Sequence, residues 1–153
     1  MLALGADGAW LGTRFVATEE AAVHERYKRA VAGARETETV RSQLFDGGWP
    51  GRDHRTLENE TVAAWEEADR PEPGDRPGDG ETVARTPGGE SVGRYDGLPP
   101  VPGLEGEVDA LPKYAGQSAG LTDAVRPAGT VVADVAEEAT AAIETTYGAG
   151  PRG

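Results

Sequence analysis

A glycine followed by a threonine, Gly12 and Thr13, stands directly after a short apolar stretch near the start of the chain. A glycine at such a position lets the backbone approach an anion closely, because it has no Cβ to hold a ligand away. Successive backbone N–H groups can then point into one concavity, and the threonine hydroxyl adds another donor. The pair is therefore a candidate phosphate site. The alternative is an ordinary turn between a strand and a helix.

A second group of candidate binding residues lies in the stretch Tyr114-Ala115-Gly116-Gln117-Ser118. It combines an aromatic ring, a flexible glycine, an amide and a hydroxyl. Such a loop could pack on a planar ligand and hydrogen-bond to the edge of that ligand. The same composition is also typical of a plain turn, so the residues alone leave both interpretations open.

The two histidines are the remaining candidates for acid–base or metal chemistry. His24 lies in a predicted helix, and no second ligand follows at a spacing that a metal site would need. We interpret it as a partly exposed helical residue. His54 lies in a polar loop where Asp53 could orient it for general-base chemistry. Because nothing in the sequence supplies a nucleophile partner, we assign no catalytic residue and no metal ligand.

The elements that must position Gly12 and Thr13 are predicted to be a buried strand and a helix. Ala9-Trp10-Leu11, bounded by glycines, suits a buried strand of a parallel sheet. Thr18 is a candidate N-cap, since two glutamates follow it in the first turn, where the helix dipole favours acidic residues. Apolar residues then recur at helical spacing over residues 23 to 34. This strand and helix make up residues 1–34.

The residue composition of the chain changes at Pro71. Residues 35–70 are predicted to form a loop and then a helix over 56–69, which Pro71 ends. Residues 71–107 contain 7 Pro and 9 Gly, so this segment cannot hold a long helix. Within it, residues 82–95 are typical of two short strands around a four-residue turn, which is a hairpin.

The last segment, residues 108–153, contains the YAGQS loop and the clearest helical pattern in the chain. The pattern begins after Pro127, continues to Thr146 and ends before Gly148. Its apolar face consists mostly of alanine and valine. This predicts close packing against a neighbouring helix or sheet.

The composition limits what the chain can bind and how well it can fold. Its net charge is -12, with 27 acidic and 15 basic residues, which argues against a nucleic-acid partner and an anionic membrane surface. Leu, Ile, Val and Phe make up only about 16% of the chain, a proportion typical of disorder or of dependence on a partner. The chain has no cysteine and no apolar run that could span a membrane. Its first ten residues include Asp7 and no basic residue, so we expect that they are not a secretory signal. We expect a cytoplasmic protein. The acidic surface favours a high-salt cytoplasm, although a GC-rich genome would also explain the excess of arginine.

Several of these features lie in five sequence segments that follow one another along the chain. The first is LALGADGAWLGTRFVATEEA, followed by His24 and Tyr27-Lys28. The others are LFDGGWPGRDHR, the helix with Asn59-Glu60-Thr61, Val83-Ala84-Arg85-Thr86-Pro87, and YAGQS. In this order and spacing they resemble the flavin-dependent nitronate monooxygenases, also called 2-nitropropane dioxygenases. The resemblance covers nearly the whole chain.

This resemblance implies an α/β fold of a particular kind. The chain would be a C-terminal fragment of a flavin-binding (β/α)8 TIM barrel, mostly helical, with one orphaned barrel strand and a small β-hairpin. The resemblance also implies FMN as cofactor and oxidation of alkyl nitronates by molecular oxygen. Gly12 and Thr13 would then belong to the cradle for the FMN phosphate, and Tyr114, Gly116 and Gln117 would lie near the flavin.

The sequence departs from the family pattern in what it lacks. The glycine pair that forms the other half of the cradle, the earlier strands and the catalytic histidine have no counterpart here, and neither His24 nor His54 matches that histidine. One strand cannot close a barrel, so we expect the chain alone to be inactive. Its partner would be the N-terminal barrel portion, in a longer product or a split enzyme. The alternatives are a fragment of a flavin-type enoyl-acyl-carrier-protein reductase and a non-enzymatic acidic interaction domain.

Overall fold

The computed structural model describes residues 5–148. Their helices and strands are, in chain order, α1 (Thr13–Val16), α2 (Glu25–Ala32), β1 (Thr39–Ser42), β2 (His54–Leu57), α3 (Glu60–Glu67), β3 (Thr82–Arg85), β4 (Ser91–Gly93), β5 (Glu105–Gly106) and α4 (Ala128–Tyr147). Turns of 3-10 helix cover Glu36–Glu38, Val108–Ala110 and Gln117–Leu121. Strands β1 and β2 form one antiparallel sheet, and the second sheet has the order β4-β3-β5. Residues 1–4 and 149–153, the ends of the first and last predicted segments, lie outside the described residues.

The N-terminal stretch corrects the sequence prediction of a buried, orphaned barrel strand. Residues 7–12 are exposed and belong to no strand, and the Trp10 side chain is 99% exposed. A strand needs a neighbour to pair its backbone N–H and C=O groups. Within the part of the chain that the structure describes, this stretch has no such neighbour. The chain instead enters the one-turn helix α1 after Gly12.

Helix α2 has the predicted apolar face but a different N-cap. Tyr27 and Val31 are buried, as the helical spacing predicts. The cap is His24, whose Nδ1 accepts a hydrogen bond from the Arg26 N–H at 3.1 Å. The prediction that Thr18 caps this helix is wrong. Its hydroxyl instead donates to the Phe15 carbonyl at 2.9 Å, in the turn that precedes the helix.

The second predicted helix begins four residues later than expected. Thr56 and Leu57 lie in β2, where both are buried. The N-cap of α3 is Asn59, whose side-chain oxygen accepts from the Val62 N–H at 2.9 Å. Asparagine is among the best N-cap residues, so it marks a helix start that the apolar spacing alone had placed too early.

The hairpin and the C-terminal helix are confirmed. Strands β3 and β4 pair as predicted, and β5 adds a third strand along the other edge of β3. The hairpin lies on a buried cluster that includes Leu104, Val108 and Leu111. Helix α4 lies where it is predicted, but the prediction that its alanine and valine face packs closely on a neighbour is wrong. Val132 and Ile143 on that face are 56% and 37% exposed, whereas the adjacent Val131 is buried. Among the described residues, no helix is both long and apolar enough to cross a membrane.

Candidate functional site

The structure brings together two of the predicted site segments that are far apart in sequence. The backbone N–H of Gly116 donates a hydrogen bond to Oγ1 of Thr13 at 2.9 Å, across 103 positions of the chain. A Cβ added at Gly116 would stand 3.6 Å from both Thr13 Oγ1 and Ser118 Oγ. The Gly12-Thr13 pair and the GQS loop therefore share one small polar region.

Local structure explains why this region can accept a ligand. Gly12 is the N-cap of helix α1, and its carbonyl accepts from the N–H groups of Phe15 and Val16 at 3.0 and 3.1 Å. A Cβ added at Gly12 would meet nothing within 4 Å, so this side of the turn is open. The Thr13 hydroxyl accepts from Gly116 and keeps its own proton to donate.

A cavity of about 160 Å³ adjoins the pair. Its lining consists of Trp10, Leu11, Gly12, Thr13, Arg14, Ser118, Leu121 and Val135. Arg14 also holds α4 against α1 through two hydrogen bonds to the Glu138 carboxylate, at 3.1 and 3.0 Å. The volume lies below the usual range for a pocket that encloses a cofactor. The cavity can therefore be only part of a larger site.

Tyr114 and Gln117 differ from Gly116 in their surroundings. The Tyr114 hydroxyl donates to the Gly97 carbonyl at 2.9 Å, and its ring contacts the rings of His54 and Trp49 edge-on. Burial raises the pKa of Tyr114 to about 12, so the phenol stays protonated at neutral pH. The Gln117 side chain is exposed. Thr13 and Gly116 are thus in direct contact, whereas the Tyr114 ring belongs to a different set of contacts.

That set is an aromatic cluster formed by Phe45, Trp49, His54 and Tyr114. The His54 ring stacks on Trp49 with centroids 5.9 Å apart and planes 3° apart, and it lies 5.7 Å from Tyr114. Residue types and local spacing do not predict this cluster. Its only signal was the presence of Phe45, Trp49 and His54 within one block of the resemblance.

The geometry of His54 also corrects its predicted surroundings. Asp53 does not orient it, because the Asp53 carboxylate binds Arg41 and Gln43 instead. The His54 Nδ1 lies 3.0 Å from the Arg52 carbonyl, and Nε2 accepts from the Phe45 N–H at 3.3 Å. Both ring nitrogens are therefore engaged by the backbone. In residues 5–148, no group of three or more His, Asp or Glu side chains is placed to hold a metal ion.

Comparisons with known protein sequences match the nitronate monooxygenases. The family model described as nitronate monooxygenase matches residues 1–138. A nitronate monooxygenase of Paraburkholderia phytofirmans is 33% identical over 94% of this chain and 34% of its own length. A Mycobacterium tuberculosis protein named as a monooxygenase is 31% identical over 90% of this chain and 34% of its own length.

The solved structure of FabK from Thermotoga maritima superposes with a TM-score of 0.69 at 26% identity. That match covers 96% of this chain and 41% of FabK. The chain therefore spans about a third of the length of the curated relatives that it matches. Because the family model matches residues 1–138 of this 153-residue chain, the chain belongs to the nitronate monooxygenase family.

Proposed function

We propose that this chain forms the C-terminal part of an FMN-dependent nitronate monooxygenase and holds the phosphate end of the flavin. The hydrogen bond between the Gly116 N–H and Thr13 Oγ1 carries the proposal, because it joins the two segments that the resemblance assigns to the cofactor. Membership of the family supports the reaction class, which is oxidation of alkyl nitronates by molecular oxygen.

The residues present fit the phosphate end of FMN. Gly12 leaves open space for an anion, and the Thr13 hydroxyl can donate to a phosphate oxygen. When bound, the flavin would supply the redox chemistry. The contribution of Thr13 is to orient the phosphate and, through Gly116, to hold the GQS loop beside it.

The same region shows what must complete the site. Trp10 is 99% exposed, Leu121 74% and Leu11 39%, and all three line the small cavity next to Thr13. Large apolar side chains that are exposed and close together mark an interaction surface. We propose that the barrel portion covers them, in the same polypeptide or as a split partner. The 153-residue chain alone is expected to bind little or no flavin and to show no turnover.

Replacing Thr13 by valine is expected to weaken FMN binding by the complete enzyme roughly 10- to 100-fold, the effect of losing one hydrogen bond to a charged group. Thr13→Ser keeps the hydroxyl and should bind FMN with nearly unchanged affinity. Riboflavin lacks the phosphate, so a loss of riboflavin affinity in Thr13→Val measures the release of the GQS loop from Thr13, and the further loss seen only with FMN measures the phosphate contact. Fluorescence titrations with both flavins measure these affinities. Equal FMN affinity for Thr13→Val and the unchanged protein would contradict the phosphate assignment.

Activity assays on the complete enzyme distinguish the alternative functions. The proposed function predicts oxygen uptake that depends on an alkyl nitronate. An enoyl-acyl-carrier-protein reductase would instead oxidise a reduced nicotinamide cofactor in the presence of an enoyl substrate. An acidic interaction domain would show neither reaction and would co-purify with a protein unrelated to a flavin barrel.

A further inference from the structure

We infer that His54 is a positioning residue, whose neutral ring holds the segment at residues 113–116 in place and whose protonation loosens it. The inference concerns the aromatic cluster, which contributes no ligand to the proposed phosphate cradle. The effect of His54 on residues 113–116 does not depend on the proposed function. Its consequence for flavin binding rests on the proposed function.

The hydrogen bonds of His54 require one neutral tautomer. Nε2 must lack a proton to accept from the Phe45 N–H, at 3.3 Å. Nδ1 must then carry the proton, which it donates to the Arg52 carbonyl at 3.0 Å. A second proton on Nε2 would remove the acceptor of the Phe45 amide. Phe45 has a fully buried side chain, so this change would disturb the packing of the loop at residues 43–49.

Strand β2 connects His54 with the cradle. His54 is the first residue of β2, and the segment at residues 113–115 pairs with this strand. The Leu57 N–H donates to the Lys113 carbonyl at 2.8 Å, and the Ala115 N–H donates to the Arg55 carbonyl at 3.1 Å. The His54 ring also lies against the Tyr114 ring. Gly116 follows directly and donates to Thr13, so a single segment joins the aromatic cluster to the cradle.

Burial and the groups around His54 together determine its response to pH. Burial is the largest effect and lowers the pKa of His54 below its usual value of about 6.5. The Arg52 carbonyl and the carboxylates of Asp53 and Asp46 oppose this shift. Asp53 is held by Arg41 on β1. From the other side, Tyr114 is uncharged near neutral pH, as tyrosine ordinarily is, and burial raises its pKa further, to about 12.

The direction of the pH effect follows from this lowered pKa. The folded state binds the proton of His54 less readily than the unfolded state does, so acid favours loss of the native arrangement. The contribution of His54 is complete above about pH 6.5 and is lost as the pH falls from there through the pKa of the folded state. The cluster should therefore loosen in mildly acidic solution.

A pH titration of the isotopically labelled 153-residue chain by NMR tests the coupling. We expect His54 to carry its proton on Nδ1 and to titrate at a lower pH than in the same chain unfolded in urea. The amide signals of Phe45 and Gly116 should shift with the same midpoint. An Nε2-protonated neutral ring, or amide signals of Phe45 and Gly116 that do not follow His54, would overturn the inference. The unsubstituted chain suffices for this test.

Two variants serve as controls. In His54→Gln the side-chain oxygen can still accept from the Phe45 N–H but does not titrate, so the Gly116 signal should become independent of pH between pH 5 and 7. His24→Asn removes the only other histidine and keeps an N-cap residue. It should leave the midpoint at Gly116 unchanged. If the pH dependence of the Gly116 signal disappeared in His24→Asn and persisted in His54→Gln, the effect would belong to His24 and the inference would be overturned.

The complete enzyme separates this inference from the proposed function. At pH values below the midpoint, protonation of His54 should lower FMN affinity by up to tenfold per pH unit, because one proton is involved, in addition to the effect of the FMN phosphate, whose second pKa is about 6. His54→Gln should remove only the part due to His54, so the affinity of the unchanged enzyme should fall more steeply than that of His54→Gln. The same pH dependence of FMN affinity in both proteins would overturn only the link from His54 to the cradle. Failure to bind FMN at any pH would overturn the proposed function instead.

Discussion

Replacing Arg76 by alanine is expected to lower the free energy of unfolding by about 3–5 kcal/mol, the usual cost of removing one partner of a buried ion pair. The Arg76 side chain is 8% exposed and pairs with Asp46 at 2.9 Å and with Asp79 at 3.0 Å. Its guanidinium also donates to the Leu44 carbonyl at 3.0 Å and lies 4.0 Å from the centre of the Tyr95 ring. Alanine would leave two mostly buried carboxylates without their counterion.

Arg76 stabilises the fold because it binds the start of the Pro- and Gly-rich segment to the loop at residues 43–49. Urea denaturation measures the change. Arg76→Lys keeps the positive charge but not the planar guanidinium, so it should lower the free energy of unfolding by less than Arg76→Ala does. Arg29→Ala removes an exposed charge on α2 and should change stability by less than about 0.5 kcal/mol. An equal effect of Arg76→Ala and Arg29→Ala would show that the buried ion pairs do not stabilise the fold.

Replacing Gly47 by alanine is expected to cost about 3 kcal/mol of stability or more, because the new methyl group has no space. It would stand 2.8 Å from the Asp96 Cα and would overlap the Asp96 carboxylate. The backbones approach closely here because Gly47 donates to the Tyr95 carbonyl at 3.0 Å and accepts from the Gly97 N–H at 2.9 Å. Alanine would force these two segments apart.

Gly48 provides a matched control for this clash. Its φ is +91°, but a Cβ there would meet nothing within 4 Å. Gly48→Ala should therefore cost only the backbone strain of about 1–2 kcal/mol. Urea denaturation of both variants compares the two effects directly. Greater destabilisation by Gly48→Ala than by Gly47→Ala would show that the close approach to Asp96 does not occur.

Elements bounded by strong local signals could be predicted from the sequence. Pro127 and Gly148 mark the two ends of α4, and both bounds are confirmed. The turn between β3 and β4 likewise fixed the hairpin. The spacing of Leu57 continues the apolar face of α3 and so predicts a helix that begins near Thr56. Their true place in β2 depends on pairing with β1 and with Tyr114, which local spacing cannot reveal.

The candidate site could be predicted only in part, for the same reason. The residue types of Gly12, Thr13 and Gly116 indicated anion chemistry, and the resemblance placed them near one cofactor. Their direct contact spans 103 positions and required the fold. The stretch around Trp10 was expected to be a strand, since its composition is that of a buried one. Without a neighbouring strand it stays exposed, which is the physical basis for proposing a barrel partner.

The most direct test is to recover this chain from its source cells through an affinity tag added to the C-terminus of the chromosomal gene. The size of the tagged polypeptide, its bound flavin and its partners are then measured together. We predict a flavin-containing species in which the chain is part of a polypeptide well above 16.0 kDa or is bound to a separate barrel polypeptide. A 16.0 kDa chain without flavin and without a barrel partner would contradict the proposal that it completes a flavin enzyme.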